Sequence, residues 1–310
     1  MKTEIDQIPV AKRVLMTGGT GLIGNRQHEL LTTEGYLTTI LTRPARQATH
    51  PQHQYVQWDG RHIDPDLGPQ GTVINLAGAG IADHRWTPSY KKLILESRVN
   101  ATRACAQWIG SQAIKPRVFL SASAVGFYPT NTAKALTEDS PPGTDFLART
   151  GIAWEAAAQG AGIRTVLLRT GVVFAPEGGA FPRLLTPFKF YAGGYVGTGN
   201  QPFPWVHIED VVGLFRFALE NEQVSGPLNV VAPDLKTNKQ VAHAVGRLIG
   251  KPSGLPVPAF AVKAIMGESA TILLDGQRVE PKRATDWGYV FTFPKLDSAL
   301  QHLLNPDIRR

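Results

Sequence analysis

A short apolar run, Arg13-Val14-Leu15-Met16, leads directly into Thr17-Gly18-Gly19-Thr20-Gly21-Leu22-Ile23-Gly24, and an amphipathic segment continues to Thr33. Glycines 18, 21 and 24 recur every third residue between a strand-like run and a helical one. A chain turning sharply from strand to helix favours a residue tolerant of positive φ, which is the expectation for Gly18. Gly21 leaves the backbone bare where a ligand approaches, and Gly24 lets the helix pack closely against the strand. The helix then opens with unpaired amides and the positive end of its dipole facing the turn. That arrangement receives a dinucleotide diphosphate. The cofactor shell begins with Gly18, Gly19, Thr20, Gly21, Leu22, Ile23 and Gly24, at the start of a parallel α/β sheet.

The rest of the chain agrees with such a sheet. Strand-like runs fall at 14–17, 37–42, 54–58, 72–77, 117–121 and 165–169, with helical stretches at 24–33, 90–110 and 146–160. Strands alternating with helices indicate a parallel sheet covered on both faces. After Gly171 the texture changes. Pro176, Gly178, Gly179, Pro182, Pro187, Gly193, Gly194, Gly197, Gly199, Pro202 and Pro204 follow closely, which reads as irregular structure over a site. A helix at 208–220 and a strand at 228–231 come next. Helices near 237–250 and 259–275 and a helical tail end the chain. The expected organisation is a Rossmann-like doubly wound sheet. Residues 12–175 form the dinucleotide-binding domain, with 205–232 returning to it, and 176–204 with 233–310 form a smaller cap or substrate region. In open parallel sheets ligands bind beyond the carboxyl ends of the strands. The cap therefore belongs above Gly18, Leu76, Ser121 and Arg169.

Composition excludes more than it selects. The 310 residues carry a formal charge of +7, but Lys and Arg are scattered and the densest groups are pairs such as Lys91-Lys92 and Lys282-Arg283. No basic helix or zinc pattern supports nucleic-acid binding. The first twelve residues lack the apolar core of a secretory signal. No apolar stretch reaches the ~18 residues of a membrane span. Cys105 is the single cysteine, which rules out an intrachain disulfide and gives no basis for a metal site. These features suit a cytoplasmic protein with a small-molecule substrate, no nucleic-acid or membrane partner, and room for a homodimer.

The end of the second strand chooses between dinucleotides. An Asp or Glu there binds the ribose 2′-hydroxyl of NAD. This chain has Leu41-Thr42-Arg43-Pro44 and no carboxylate. Arg43 can fork onto a 2′-phosphate, a charge-assisted contact worth roughly 1.5–3 kcal/mol, and Thr42 adds a hydroxyl. The cofactor expected is NADP(H).

Further motifs narrow the picture. Asn75-Leu76-Ala77-Gly78, Arg85-Trp86-Thr87, Ser97-Arg98, Ser121 to Gly126, Leu136 to Gly143 and Trp154-Glu155 are the first group. Leu168 to Val173, Trp205 to Asp210, Leu255 to Phe260 and Gln277-Arg278-Val279 are the second. Together, from Arg13 to about Leu304, they resemble the extended short-chain dehydrogenases/reductases. They are most similar to the atypical branch known as epimerase family proteins (NAD(P)-dependent epimerase/dehydratase-like), to which a cell-division label is sometimes attached. The resemblance implies that Thr42 and Arg43 hold the adenosine phosphate. It puts Asp59 or Trp58 beside the adenine, and Leu76, Ala77 and Gly78 along the cofactor's path. Arg98 stands where many relatives have Asn, and Val172 near the nicotinamide.

The superfamily's acid–base pair is a Tyr followed four residues later by a Lys. Tyr-x-x-x-Lys occurs nowhere in this chain. Counting back from Glu155, the Lys position is Gly151 and the Tyr position Leu147. The Cys that many members of the branch carry near 151 is absent too. Ser123 stands at the place of the superfamily's catalytic Ser or Thr, and Tyr128 is a substitute acid at the same strand end. His207 has a site-like context, although a structural hydrogen bond suits it better. Arg85 and Trp86 meet a ligand or anchor the helix after them. The leading reading is an NADP-dependent oxidoreductase or epimerase-like enzyme acting on a small carbonyl, hydroxyl or sugar-nucleotide-like compound. The alternative is a non-catalytic, NADPH-binding regulatory protein.

Overall fold

The computed structural model describes residues 8–44, 46, 47, 50 and 52–305. Seven strands form one parallel sheet: β1 (Arg13–Thr17), β2 (Leu37–Thr42), β3 (His53–Gln57), β4 (Thr72–Asn75), β5 (Val118–Ala124), β6 (Thr165–Thr170) and, later in the chain, β11 (Gly226–Val230). Their order is β11-β6-β5-β4-β1-β2-β3. The chain grows outward from β1 in one direction through β2 and β3, then restarts at β4 and grows the other way. The crevice between the loops after β1 and β4 is thus the switch point of a Rossmann-like fold.

Alternate side chains of each strand go to opposite faces, and the two apolar cores follow that parity. Val14, Met16, Ile74, Val118, Leu120, Val166, Leu168 and Leu228 join the core under α1 (Leu22–Thr33) and α5 (Ile208–Glu220). Leu15, Val73, Phe119 and Leu167 join the core under α2 (Pro88–Ser111) and α3 (Phe146–Gln159). The parity also sets the chemistry. Ser121 and Ser123 on β5, and Arg169 on β6, fall on the α3 side.

The segment expected to be irregular holds a regular helix, α4 (Ala180–Lys189). Between it and β6 lie β7 (Val172–Ala175) and β8 (Gly178–Gly179); after it come β9 (Pro202–Phe203) and β10 (Trp205–His207). Pro182 sits in the first turn of α4, where a missing N–H breaks no helical bond. Phe181 and Phe188, seven residues apart on one face, are fully buried. They form a further core with Phe174, Trp205, α6 (Asn238–Ile249) and α10 (Leu296–Leu304). A frequency of Gly and Pro suggests loops only where no apolar face competes.

The helix expected at 259–275 breaks in two. Gly267, at φ +66°, ends α7 (Ala259–Met266), a 3-10 turn follows, and α8 (Thr271–Leu274) resumes. Strand β12 (Lys236–Thr237) pairs antiparallel with β9, and α9 (Lys282–Asp286) precedes α10. Buried Asp210 ties this last segment down. It accepts from Thr292 N at 2.7 Å, Phe293 N at 2.9 Å and the Tyr289 hydroxyl at 3.2 Å. No helix among the described residues is long and apolar enough to cross a membrane.

Candidate functional site

The glycine turn has the geometry its sequence demands. Gly18 has φ +67°, and a Cβ there would lie 2.6 Å from the carbonyl of Leu76, so the loops after β1 and β4 touch. A Cβ on Gly24 would lie 2.3 Å from Gly18 O and 2.6 Å from Gly19 Cα. The close approach of Gly24 is therefore to the turn itself rather than to the strand. Gly21 differs: it is exposed, and an added Cβ would meet only Gly18 O at 3.3 Å. It caps α1 with no side-chain hydrogen bond, and the first turn of α1 carries no acidic residue. The amides and dipole of that helix end are thus open to an anion. The cradle fits a diphosphate in shape and in sign.

The other expected cofactor residues lie around this edge. Thr42 is buried at the end of β2 and its hydroxyl donates to Pro44 O. Arg43 is exposed and makes no ion pair among the described residues. Asp59 accepts from Arg61 N at 2.7 Å, His62 N at 2.8 Å and the His62 ring at 2.7 Å. Those bonds, the ring's above all, hold its carboxyl well below the usual range. Asp59 is thus occupied with shaping its own turn. Thr17 donates to Asn75 Oδ1 at 2.6 Å and Asn75 donates to Thr102 at 2.7 Å, which ties β1, β4 and α2 together beneath the crevice. Ser97 accepts from Ala79 N at 3.0 Å, and Arg98 donates to Ala79 O at 2.9 Å, so α2 clamps the loop carrying Leu76, Ala77 and Gly78. Val172 opens β7, its N–H bonded to Pro204 O at 2.7 Å.

The later segments reach over this edge. Gly179 of β8 packs on Leu22 of α1, Arg183 of α4 donates to Ala82 O and Asp83, and Lys91 of α2 pairs with Glu268 at 2.7 Å. Arg85 donates to Ala264 O of α7, and buried Trp86 donates to Ile81 O at 2.8 Å and meets Phe146 edge-on. Both anchor the loop and the helix that follows. A cavity of about 580 Å³ opens elsewhere, lined by Asn131, Thr198, Gln201, Lys236, Thr237 and Arg278. None of its lining residues belongs to the glycine turn or to the ends of β4 and β5.

Ser123 and Tyr128 come together, but through a third party. Arg169 forks onto Glu155 with Nε and Nη2 each at 2.8 Å, and both side chains are almost wholly buried. Ser123 donates to Glu155 Oε1 at 2.6 Å. The Arg169 Nη1 donates to the Tyr128 hydroxyl at 2.9 Å, which in turn donates to Asn229 Oδ1 at 2.7 Å. Phe127 lies against the guanidinium, 3.6 Å from ring centre to Cζ. Glu138 extends the network by accepting from Asn229 N and Arg283 N. Tyr128 is 0 % exposed, and burial pushes its hydroxyl up to about 12 despite the neighbouring Arg169. The partly exposed positions at this strand end are Ala122 and Ala124. Sequence reading missed the centre of this network. The signal was available: a lone Arg within Val166-Leu167-Leu168-Arg169-Thr170 and a lone Glu in an alanine-rich helix must each find a partner when buried.

His207 is likewise engaged. Its Nδ1 accepts from Glu209 N at 3.1 Å, capping α5, its Nε2 faces His302 at 3.1 Å, and its ring stacks on Phe293 at 3.9 Å. Burial chiefly, then the charge of His302 and Arg26, draws its pKa down to about 3.

Residues 14–231 match the model of the NAD dependent epimerase/dehydratase family. The chain belongs to that family. Residues 257–303 match a domain of unknown function, DUF1731. Epimerase family protein YfhF of Bacillus subtilis is 41 % identical over 297 residues, spanning 94 % of this chain and 97 % of that protein. The crystal structure of human epimerase family protein SDR39U1 with NADPH superposes with a TM-score of 0.87 at 35 % identity, covering 94 % of this chain and 98 % of the human one. A nucleoside-diphosphate sugar epimerase from Corynebacterium glutamicum gives a TM-score of 0.77 at 29 % identity, over 96 % of this chain and 59 % of the other. Leu147 and Gly151, the positions that counting back from Glu155 assigns to the family's Tyr and Lys, both lie on α3. Leu147 lies against Gly126, and a Cβ on Gly151 would meet Phe127 at 3.3 Å. That face of α3 is apolar.

Proposed function

We propose that this protein binds NADP(H) along the carboxyl edge of its sheet. The observation that carries the reading is the glycine cradle: Gly18 and Gly24 closed by backbone, Gly21 open, and an uncapped helix end without acid. The diphosphate would lie on α1, the 2′-phosphate at Arg43 with the Thr42 edge, and the nicotinamide toward Val172. The 35 % identical human relative crystallised with NADPH supports it. When bound, the nicotinamide supplies hydride exchange. Fluorescence titration with NADPH and NADH tests the reading. Arg43→Ala should lower the preference for NADPH by about tenfold to hundredfold; an unchanged ratio sinks the assignment.

We further propose an oxidoreductase or epimerase-like activity, on a small carbonyl, hydroxyl or sugar-nucleotide-like substrate, that uses no acid–base pair from α3. Residues 147 and 151 hold no titratable group, and the hydroxyls of Ser123 and Tyr128 already serve the Arg169–Glu155 pair. Their role in this reading is to hold β5, β6 and α3 in register beneath the site. The same observation favours a second reading, a regulator that binds NADPH without turnover. A carbonyl-substrate screen following reduced-nicotinamide absorbance separates the two. Turnover that survives in Ser123→Ala and Tyr128→Phe supports the enzyme reading, and no turnover with any carbonyl class supports the regulator.

A further inference from the structure

Arg98 lies at the crevice without a counter-ion among the described residues. It projects from α2 against Gly78, where an added Cβ would lie 3.1 Å from its Cζ. Its Nη1 donates to Ala79 O at 2.9 Å and Ile94 O at 3.0 Å, while Nε and Nη2 make no hydrogen bond among the described residues and are not enclosed. The half-buried guanidinium sits 5.1 Å from the ring centre of Trp154. Trp154 is itself buried, and its enclosed indole N–H has no acceptor among the described residues. Burial draws Arg98 down to about 10, and no carboxylate opposes it. A half-buried guanidinium with no counter-ion and a free edge favours an anion that reaches that edge. The open edge of Arg98, backed by the Trp154 ring, describes a place for an acceptor that arrives from outside.

We propose that Arg98, with the Gly78–Ala79 loop and the Trp154 ring, binds a carboxylate of the second ligand in the crevice. The proposal rests on the NADP(H) reading and adds a substrate class to it: small carbonyl or hydroxyl compounds that carry a carboxylate. The diphosphate already has its place on the β1 side, at the open end of α1. Arg98 stands on the β4 side, and Trp154 is one turn beyond Gly151 on α3, where the family's acid–base residues are missing. Nε and Nη2 form the fork that matches two carboxylate oxygens.

The test measures thermal stabilisation of the NADPH-saturated protein by pyruvate and malonate against pyruvamide and malonamide, at matched ionic strength. The carboxylates should stabilise wild type and the amides should not. Arg98→Gln should weaken the carboxylate response at least about tenfold, and Arg98→Lys should retain part of it. Trp154→Phe, which leaves a smaller aromatic face beside the guanidinium, guards against a misfolded Arg98→Gln. It should weaken the response without abolishing it. The proposal fails if carboxylates do no more than chloride in wild type. It also fails if Arg98→Gln keeps their effect, or if that variant loses NADPH affinity alone. Failure of wild type to bind NADPH, with carboxylate stabilisation retained, would instead overturn the cofactor reading.

Discussion

Gly21 and Gly24 are chemically identical and three residues apart, yet alanine should act on them in opposite ways. In Gly24→Ala the methyl would sit 2.3 Å from Gly18 O and 2.6 Å from Gly19 Cα, both backbone atoms, whereas ordinary contact begins at 3.4 Å. The turn must withdraw by about 1 Å, and overpacking of that kind costs about 1–3 kcal/mol. In Gly21→Ala the single neighbour is Gly18 O at 3.3 Å, and φ is −84°, comfortable for alanine. The unfolded chain loses freedom, which favours the fold by about 0.4–1 kcal/mol. Against that stand the 3.3 Å contact, which Gly18 O must relieve, and alanine's poorer fit at an N-cap, so the cofactor-free protein should stay within about 1 kcal/mol of wild type. Its methyl, however, stands on the exposed side where the diphosphate must approach. Displacing a phosphate oxygen from one amide forfeits a charge-assisted bond of about 1.5–3 kcal/mol, or about tenfold to hundredfold in Kd. Urea unfolding of the cofactor-free variants and NADPH titration together read both effects. The reasoning is refuted if Gly24→Ala unfolds at the wild-type midpoint, or if Gly21→Ala binds NADPH within about twofold of wild type.

Glu155→Ala should cost about 3–5 kcal/mol in urea, because it leaves the Arg169 charge buried and unpaired. Replacing both partners, Glu155→Leu with Arg169→Met, should recover most of that loss, and a double variant no better than the single one would contradict the desolvation argument. His207 has a pKa drawn from 6.5 to about 3 in the fold. The unfolded chain therefore takes up a proton there that the fold refuses. The group's contribution is full above pH 6.5 and is lost as pH falls toward 3, at up to about 1.4 kcal/mol per pH unit. His207→Asn, which keeps a capping acceptor, should flatten the stability profile over that window; an unchanged slope assigns the acid sensitivity elsewhere. Asp210→Asn turns one acceptor oxygen into a donor facing Thr292 N, Phe293 N or the Tyr289 hydroxyl, and should cost about 1–3 kcal/mol. Limited proteolysis should then cut first between α9 and α10; cleavage elsewhere would argue that Asp210 does not hold this segment.

Local rules decide much of this molecule, and local rules are legible in sequence. A βα turn that needs positive φ at Gly18 and bare backbone at Gly24 admits only glycine there, so the motif announced the tight turn at the edge of the crevice. Short apolar and β-branched runs placed every strand of the main sheet to within a few positions. The missing carboxylate after β2 pointed to a phosphate at Arg43. What sequence could not show is who stands beside whom across distant segments. Ser123 and Tyr128 carry hydroxyls that read as chemistry, and their engagement follows from the pairing of β5 with β6, which sets Arg169 beside Ser123, and from the packing of α3, which brings Glu155 onto both. The run of Gly and Pro after Gly171 hid α4, because its helix is held by Phe181 and Phe188 against α6 and α10, more than fifty residues further on. Arg98 reads in sequence as one more cofactor contact, and only the packing of α2 on α3 sets its guanidinium against Gly78 and the Trp154 ring. The sequence by itself determined where a dinucleotide can lie, since steric exclusion acts within a few residues. Only the tertiary structure decided which charges and hydroxyls are already satisfied, since pairing depends on contacts that no local pattern encodes.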